Sequence, residues 1–113
     1  MKIRRETGFD KVSFAFRLLL LNKEQLSTLS NQLYERGIKF EAFEKYKKII
    51  IKVANKKDMR QLLSAKSNLD GIQYDIWISI NSSYDHGGLT VPDYILALIY
   101  EFKCPVQFSY IIC

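Results

Sequence analysis

The chain has 113 residues, of which 48% are hydrophobic and 26% charged, with a net charge of +5. This size suits one domain, the composition is unlike that of disordered segments, and no apolar run approaches the roughly 20 residues of a membrane span. Residues 1 to 60 hold fifteen lysines and arginines against seven carboxylates, a net charge of +8, whereas residues 61 to 113 hold two against five, a net charge of −3. The basic half favours nucleic acid, anionic lipid or an acidic protein surface as a partner.

The first two elements are predicted from strict apolar patterns. Alternate apolar residues predict a strand over residues 12 to 21, with these on one face: Val12, Phe14, Phe16, Leu18 and Leu20. Asn22 has the chemistry of a helix N-cap, and Gln25 stands at the capping-box position. Gly37 is a natural stop, so a first helix is expected from about residue 23 to residue 36.

The middle of the chain reads as strands around a second helix. Residues 38 to 44 and 45 to 54 have β-like composition and predict two strands or one long bent strand. Asn55 can cap a short helix that ends near residues 68 to 71. Residues 72 to 81 then alternate as a strand, with Trp77 on its more polar face, either covering a helix or exposed for a partner.

The C-terminal part adds a loop, a helix and a strand. Residues 81 to 89 have turn composition, and Thr90 is expected to cap the next helix, with Pro92 in its first turn. Residues 95 to 102 are apolar nearly all round, which predicts a largely buried helix. A last strand starts at Val106. The order predicts a single α/β (α+β) domain, a ferredoxin-like βαββαβ core with an added C-terminal helix and strand.

Catalytic and metal-binding signatures are weak. His86 is the single histidine and follows Asp85, so it could act as a general acid or base in a small enzyme. It has no nucleophile motif around it, and a turn residue is the favoured interpretation. The carboxylates show no metal-ligand spacing and most should be surface residues or caps, while Cys104 and Cys113 are expected to be reduced thiols. We therefore predict no enzyme activity, no metal and no cofactor.

A basic and aromatic stretch in the middle of the chain is the strongest nucleic-acid signal. Aromatic residues can stack on bases and lysines can contact phosphates. The candidate residues are Lys39, Lys45, Lys47, Lys48, Lys52, Lys56, Lys57 and Arg60. Glu41 and Glu44 interrupt the same stretch, and an aromatic core edged by solvated lysines is the alternative, so nucleic-acid binding is our second hypothesis.

The C-terminal third resembles a family of small bacterial proteins. The strand Tyr74–Asn81, the loop with Gly87 and Gly88, Pro92 at the helix start and the strand 106–110 resemble immunity proteins of polymorphic-toxin and contact-dependent growth inhibition systems. The resemblance implies a protein that binds a cognate toxin domain and occludes its active site. On the sequence, we expect the contact at Trp77, Tyr84, Asp85 and His86. No signal peptide is evident, so we expect a cytoplasmic protein. Because the net charge is +5, either the toxin surface should be acidic or the contact should use the acidic C-terminal half of this chain.

Overall fold

A computed structural model describes residues 11–82 and 90–112 of the protein, and in these ranges five strands and three helices follow one another. The strands are β1 (Lys11–Leu19), β2 (Glu41–Phe43), β3 (Lys48–Lys52), β4 (Gln73–Ser82) and β5 (Val106–Ile112). The helices are α1 (Lys23–Glu35), α2 (Lys56–Ser64) and α3 (Asp93–Phe102), and a short 3₁₀ turn, Lys66–Leu69, follows α2. The predicted α+β class is confirmed.

The strands form one mixed sheet in the order β2-β3-β1-β4-β5. β1 lies in the centre and pairs antiparallel with β3 on one side and with β4 on the other. β2 adds antiparallel to β3 at one edge, and β5 adds parallel to β4 at the opposite edge. α3 lies in the connection between β4 and β5, because parallel neighbours need a crossover of a dozen or more residues.

The three helices bury their apolar residues against one face of this sheet. The sheet residues in the core are Phe14, Phe16, Leu18, Ile49, Ile51, Ile76, Ile78 and Ile80. They form one cluster with helix residues Leu29, Leu33, Leu62, Ile95, Leu98 and Phe102. The ring of Phe16 lies at its middle, with ring centroids 5.2 Å from Tyr74 and 4.8 Å from Phe102. The alternation in β1 is thus the signature of a central strand that faces the helices with every second residue.

The predicted boundaries of α1 are confirmed, and each has a local cause. Asn22 Oδ1 accepts the Gln25 N–H at 2.7 Å, and Gln25 Oε1 accepts the Asn22 N–H at 3.0 Å, which completes the capping box. At the other end Gly37 has φ of +73°, and the Ile38 N–H donates to the Leu33 carbonyl at 3.0 Å. A left-handed residue here ends the helix, which favours glycine. The predicted cap of α2 is confirmed too, since Asn55 Oδ1 accepts the Asp58 N–H at 2.9 Å.

The first strand is shorter than predicted, and Leu20 was wrongly placed in the core. β1 ends at Leu19, and Leu20 has φ of +53° with 73% of its surface exposed. This left-handed residue interrupts the alternation, so Leu21 is buried instead, and its N–H donates to the Lys47 carbonyl at 2.9 Å. The two alternatives for residues 38 to 54 are also decided, because β2 and β3 are separate strands joined by a turn.

The start and the burial of α3 differ from the prediction. Pro92 is the N-cap residue, its carbonyl accepts the Leu96 N–H at 3.1 Å, and no side chain caps this helix, so Thr90 is not the cap. Ile95, Leu98 and Phe102 are buried, but Leu96 and Tyr100 are 50% and 75% exposed, because only one side of α3 faces the sheet. Within residues 11–82 and 90–112, no helix combines the length and the apolar character that crossing a membrane requires.

Candidate functional site

The sheet face opposite the helices is the main candidate surface, and we call it the open face. The strand registers place on it the residues that alternate with the core. Its central members are Ala15, Arg17 and Leu19 of β1, Phe43 of β2, Lys48, Ile50 and Lys52 of β3, and Asp75, Trp77 and Ser79 of β4. Among the described residues, none of these belongs to the cluster that the helices cover.

A bidentate ion pair lies in the middle of the open face. Arg17 and Asp75 stand directly opposite each other on β1 and β4. Arg17 Nε donates to Asp75 Oδ1 at 2.8 Å, and Nη2 donates to Oδ2 at 2.6 Å. The Asp75 side chain is 5% exposed and that of Arg17 is 18% exposed. Paired charge-assisted hydrogen bonds are strong and specific in geometry, so they hold the guanidinium in one orientation.

Trp77 lies beside this pair and contacts it. Its neighbour across on β1 is Ala15, whose small side chain leaves room for an indole ring. Arg17 Cζ lies 5.2 Å from the centroid of the Trp77 ring, which is a cation–π distance. Trp77 itself is half-buried. We call Arg17, Asp75 and Trp77 the central cluster. Asp75 holds the orientation of the Arg17 side chain, and Arg17 in turn contacts the Trp77 ring.

Apolar residues extend from the central cluster towards β3 and β2, and no helix among the described residues covers them. Leu19, Phe43 and Ile50 on the neighbouring strands are all half-buried. Ile50 stands directly opposite Arg17 on β3, on the side away from Asp75. A face made only for solvent would carry polar residues at such positions, as one-sided antiparallel sheets usually do. The open face therefore combines an ion pair with uncovered apolar surface on the β2–β3 side of it.

The turn between β2 and β3 concentrates lysines around aromatic rings. Lys48 Nζ lies 5.7 Å from the ring centroid of Phe43 and 5.5 Å from that of Tyr46. Lys45 Nζ lies 5.7 Å from the Tyr46 centroid, and Tyr46 is 63% exposed. Lys47 has φ of +54° within the same turn. This end of the sheet is therefore cationic and aromatic.

A groove of about 440 Å³ lies at the opposite end of the β2–β3 hairpin, beside the end of β3 and the start of α2. Lys39, Lys52 and Lys57 line it together with the carboxylates of Glu41 and Asp58. Asp58 Oδ2 accepts the Ala54 N–H at 2.8 Å, so this carboxylate also serves the start of α2. The other two predicted basic residues, Lys56 and Arg60, are exposed on α2. The eight candidates thus fall into three groups, on the turn, at the groove and on α2.

Trp77 is the one member of the predicted toxin-binding set that the structure describes. It lies half-buried on the open face, where no helix among the described residues covers it, and its role in binding a partner stays a prediction. Tyr84, Asp85 and His86 lie outside the described residues, as does Cys113. The hypothesis of an enzyme using His86 therefore stays a prediction.

Sequence reasoning singled out Trp77 but missed its neighbours Arg17 and Asp75. Most carboxylates were expected to be surface residues or caps, and Asp75 is an exception, buried because Arg17 satisfies both of its oxygens. The sequence does contain a signal for this pair, because Arg17 and Asp75 each place a charge in the middle of an apolar strand. Their pairing depends on the register between β1 and β4, which brings together two residues that are 58 positions apart in sequence. Composition alone does not contain that register.

Metal ligation and thiol chemistry are the two remaining chemical possibilities among the described residues. No group of three or more His, Cys, Asp or Glu residues there could hold a metal ion. Cys104 is a free cysteine in the core, and burial raises the pKa of its thiol. A buried thiol of raised pKa is chemically inert rather than nucleophilic.

Comparisons with known proteins do not assign this fold or this site to a family. No protein family, curated protein or solved structure matches the chain. A functional assignment has to start from the open face and from the lysines of the β2–β3 turn and the groove.

Proposed function

We propose that the protein binds a partner protein through its open face, and that this partner is a bacterial toxin domain that it inhibits in the cytoplasm. The observation that carries the binding part is the central cluster, a fixed Arg17–Asp75 pair with Trp77 on a sheet face without helices. The toxin part rests on the resemblance of residues 74 to 110 to immunity proteins.

We also infer that the elements from β1 to β4 form a ferredoxin-like core, to which α3 and β5 are appended. Support comes from the order of the four strands, β2-β3-β1-β4, and from the antiparallel pairing of each neighbouring pair. With the helices on one face, such a core leaves the other face free. A fold of this kind hosts many functions, so the argument for binding rests on the residues of the face.

The central cluster has the properties of an interface anchor. Tryptophan and arginine are the residue types most enriched among those that dominate binding energy. Asp75 already holds the Arg17 guanidinium, and the guanidinium contacts Trp77, so little rotamer freedom is left to lose on association. Such preorganisation lowers the entropic cost of binding.

The surroundings of the cluster supply both components of a protein interface, apolar surface and polar residues. Ile50 supplies half-buried apolar surface opposite Arg17, Phe43 adds apolar surface on β2, and Lys48 and Lys52 supply positive charge on β3. The partner should therefore present apolar residues together with carboxylates. Inhibition by occlusion needs no catalytic group on this chain.

Nucleic-acid binding is the second candidate, and the lysines at the turn and the groove favour it. Lys45 and Lys48 lie close to aromatic rings, as in stacking platforms for single-stranded RNA or DNA. On the open face, however, the guanidinium of Arg17 lies over the Trp77 ring, and half-buried aliphatic side chains offer nothing to phosphates. The aliphatic surface is the reason that a protein partner ranks first.

The protein-binding proposal is tested by co-expression with the polypeptide encoded immediately upstream of this gene. Trp77→Ala removes the anchor, and Tyr34→Ala removes an aromatic side chain that is 80% exposed on α1, away from the open face. We expect the polypeptide alone to stop the growth of the expressing cells. The wild type and Tyr34→Ala should restore that growth and co-purify with the polypeptide. Trp77→Ala should bind at least about 30-fold more weakly, the loss of a typical anchor residue.

The outcomes separate the two parts of the proposal. If the upstream polypeptide is harmless and binds none of the variants, the toxin assignment is wrong. If it is neutralised equally by Trp77→Ala and by the wild type, the open face is not the contact surface. Binding of a labelled RNA oligonucleotide that falls steeply between about 50 mM and about 200 mM salt would establish the second candidate instead.

A further inference from the structure

β5 forms one edge of the sheet, and in the described ranges no strand pairs with its outer side. It is seven residues long, and its sequence VQFSYII contains no charged residue and no proline. Natural proteins usually protect an edge with a short strand, a charge, a proline or a bulge, because an unprotected edge is a template for another strand. β5 carries none of the first three protections.

The opposite edge shows what protection looks like in the same molecule. β2 has three residues, begins with the charged Glu41 and is followed by a turn that holds Glu44, Lys45 and Lys47. A strand this short and this charged offers little to an incoming chain. The long uncharged edge at β5 is therefore a property of that edge and not of the whole sheet.

We propose that β5 pairs antiparallel with β5 of a second copy of this chain, which joins two five-stranded sheets into one sheet of a homodimer. The proposal is independent of the function proposed above. A second copy is the occupant that the strand itself fits, since a two-fold axis lets one uncharged surface meet itself without opposing like charges.

Hydrogen bonding to β4 decides which residues of β5 face outward. The Ile76 N–H donates to the Pro105 carbonyl at 3.0 Å, and Ile76 stands opposite Val106 in the parallel register. In a ladder of this kind alternate residues turn their backbone groups to the neighbouring strand. Gln107 and Ser109 therefore face β4, and the backbone groups of Val106 and Phe108 face the open edge.

This alternation fixes the register of the dimer. An antiparallel ladder pairs outward-facing residues with each other, and full overlap of Val106–Ile112 puts Ser109 on the two-fold axis. Phe108 then stands opposite Tyr110 of the second copy, and Val106 stands opposite Ile112. The overlap allows roughly eight hydrogen bonds between the chains. It also removes from water part of Phe108, which is 61% exposed in the single chain.

A disulfide test reads out the register directly. Two Ser109 residues on the axis form a non-hydrogen-bonded pair with Cα atoms about 4.5 Å apart, which suits a disulfide. In a Cys113→Ser background, Ser109→Cys should give a covalent dimer on mild oxidation. Gln107→Cys is the matched control, because the two 107 positions lie about 13 Å apart along antiparallel strands. Cys104 is buried and does not compete.

Solution measurements complete the test without any new cysteine. We expect light scattering of the wild type to give the mass of a dimer at micromolar concentration. Phe108→Lys should shift it to the monomer with an unchanged far-ultraviolet circular dichroism spectrum, while Phe108→Thr, a good strand residue without charge, should remain largely dimeric. A monomeric wild type, cross-linking of Gln107→Cys alone, or equal cross-linking of both cysteine variants overturns the proposal.

Discussion

The two faces of the sheet are made by the same strands, yet their residues are chosen by different rules. On the helix side, Phe14, Phe16 and Leu18 of β1 are all apolar and buried. On the open face, the alternating residues of the same strand include Ala15 and Arg17. Close packing against the helices is enough to explain the residue types on the helix side. The open face keeps apolar surface and a fixed ion pair where solvation would need neither, which is why we assign binding to it.

Truncation in the middle of the helix side should have the largest effect on folding. Phe16 is fully buried and its ring contacts both Tyr74 and Phe102. Phe16→Ala leaves a cavity among these rings and should lower the free energy of unfolding by about 3–5 kcal/mol. Denaturant unfolding measures this value. A loss under about 1 kcal/mol would mean that the helices do not pack on this face as described.

Thiol reactivity compares the two faces chemically. In a Cys113→Ser background, Cys104 reports the core, and adding Ser13→Cys places a second thiol at an exposed position of the open face. Cys104 has to wait for an opening of the fold, so its alkylation should be at least about 100-fold slower. Similar rates for the two thiols would contradict the assignment of faces.

The contribution of Cys104 to the pH dependence of stability has a defined sign. Burial is the main cause that raises the pKa of the Cys104 thiol, with a smaller opposing hydrogen bond from the backbone. The folded state therefore holds this proton more tightly than the unfolded chain does. Above about pH 8.5, the ordinary pKa of a thiol, Cys104 should lower the stability as pH rises. Cys104→Ala should show a smaller loss between pH 8.5 and pH 10 in denaturant unfolding, and an equal loss would contradict this.

Breaking the ion pair should cost less than a core truncation. Asp75→Ala leaves the Arg17 guanidinium without its carboxylate, and two charge-assisted hydrogen bonds are lost. Because the Arg17 side chain is 18% exposed, water can solvate it in part, and we expect a loss of about 2 kcal/mol. The double variant Asp75→Ala with Arg17→Met restores an uncharged surface and should recover part of that loss. Unfolding of the single and double variants completes the cycle.

A conservative change on the open face should affect folding least. Ile50→Thr keeps a β-branched side chain on β3 and replaces apolar surface that is only half-buried. We expect a change in the free energy of unfolding of about 0.5 kcal/mol or less. The same variant should bind the partner several-fold more weakly, so a binding assay and an unfolding curve on one sample separate the roles of the two faces. Unchanged binding would place the contact elsewhere.

Local chemistry made most elements predictable from the sequence. The Asn22 and Gln25 pair and Gly37 defined α1 at both ends, and Asn55 defined the start of α2. Each of these signals acts within a few residues. The failures are also local in origin. The left-handed turn at Leu20 has no distinctive residue type, and at α3 a cap-forming residue type, Thr90, stands two residues before the N-cap, Pro92.

The site was less predictable, because it is created by contacts between distant strands. Trp77 was singled out by its residue type, but its position beside Arg17 follows from the β1–β4 register. The lysines between residues 39 and 57 were found by composition, while their division between turn, groove and α2 needed the fold. The charge pattern therefore located the lysines of the turn, the groove and α2, whereas the pairing of distant strands created the central cluster.

The most direct test of the open face uses the only tryptophan in the chain, Trp77. Incorporation of 5-fluorotryptophan gives one fluorine signal at the centre of this face, which can be followed while the upstream polypeptide is titrated in. We predict that this resonance shifts or broadens with the stoichiometry of the complex, and that Tyr34→Ala leaves the response unchanged. A complex that forms by light scattering while the fluorine resonance stays in place would contradict it.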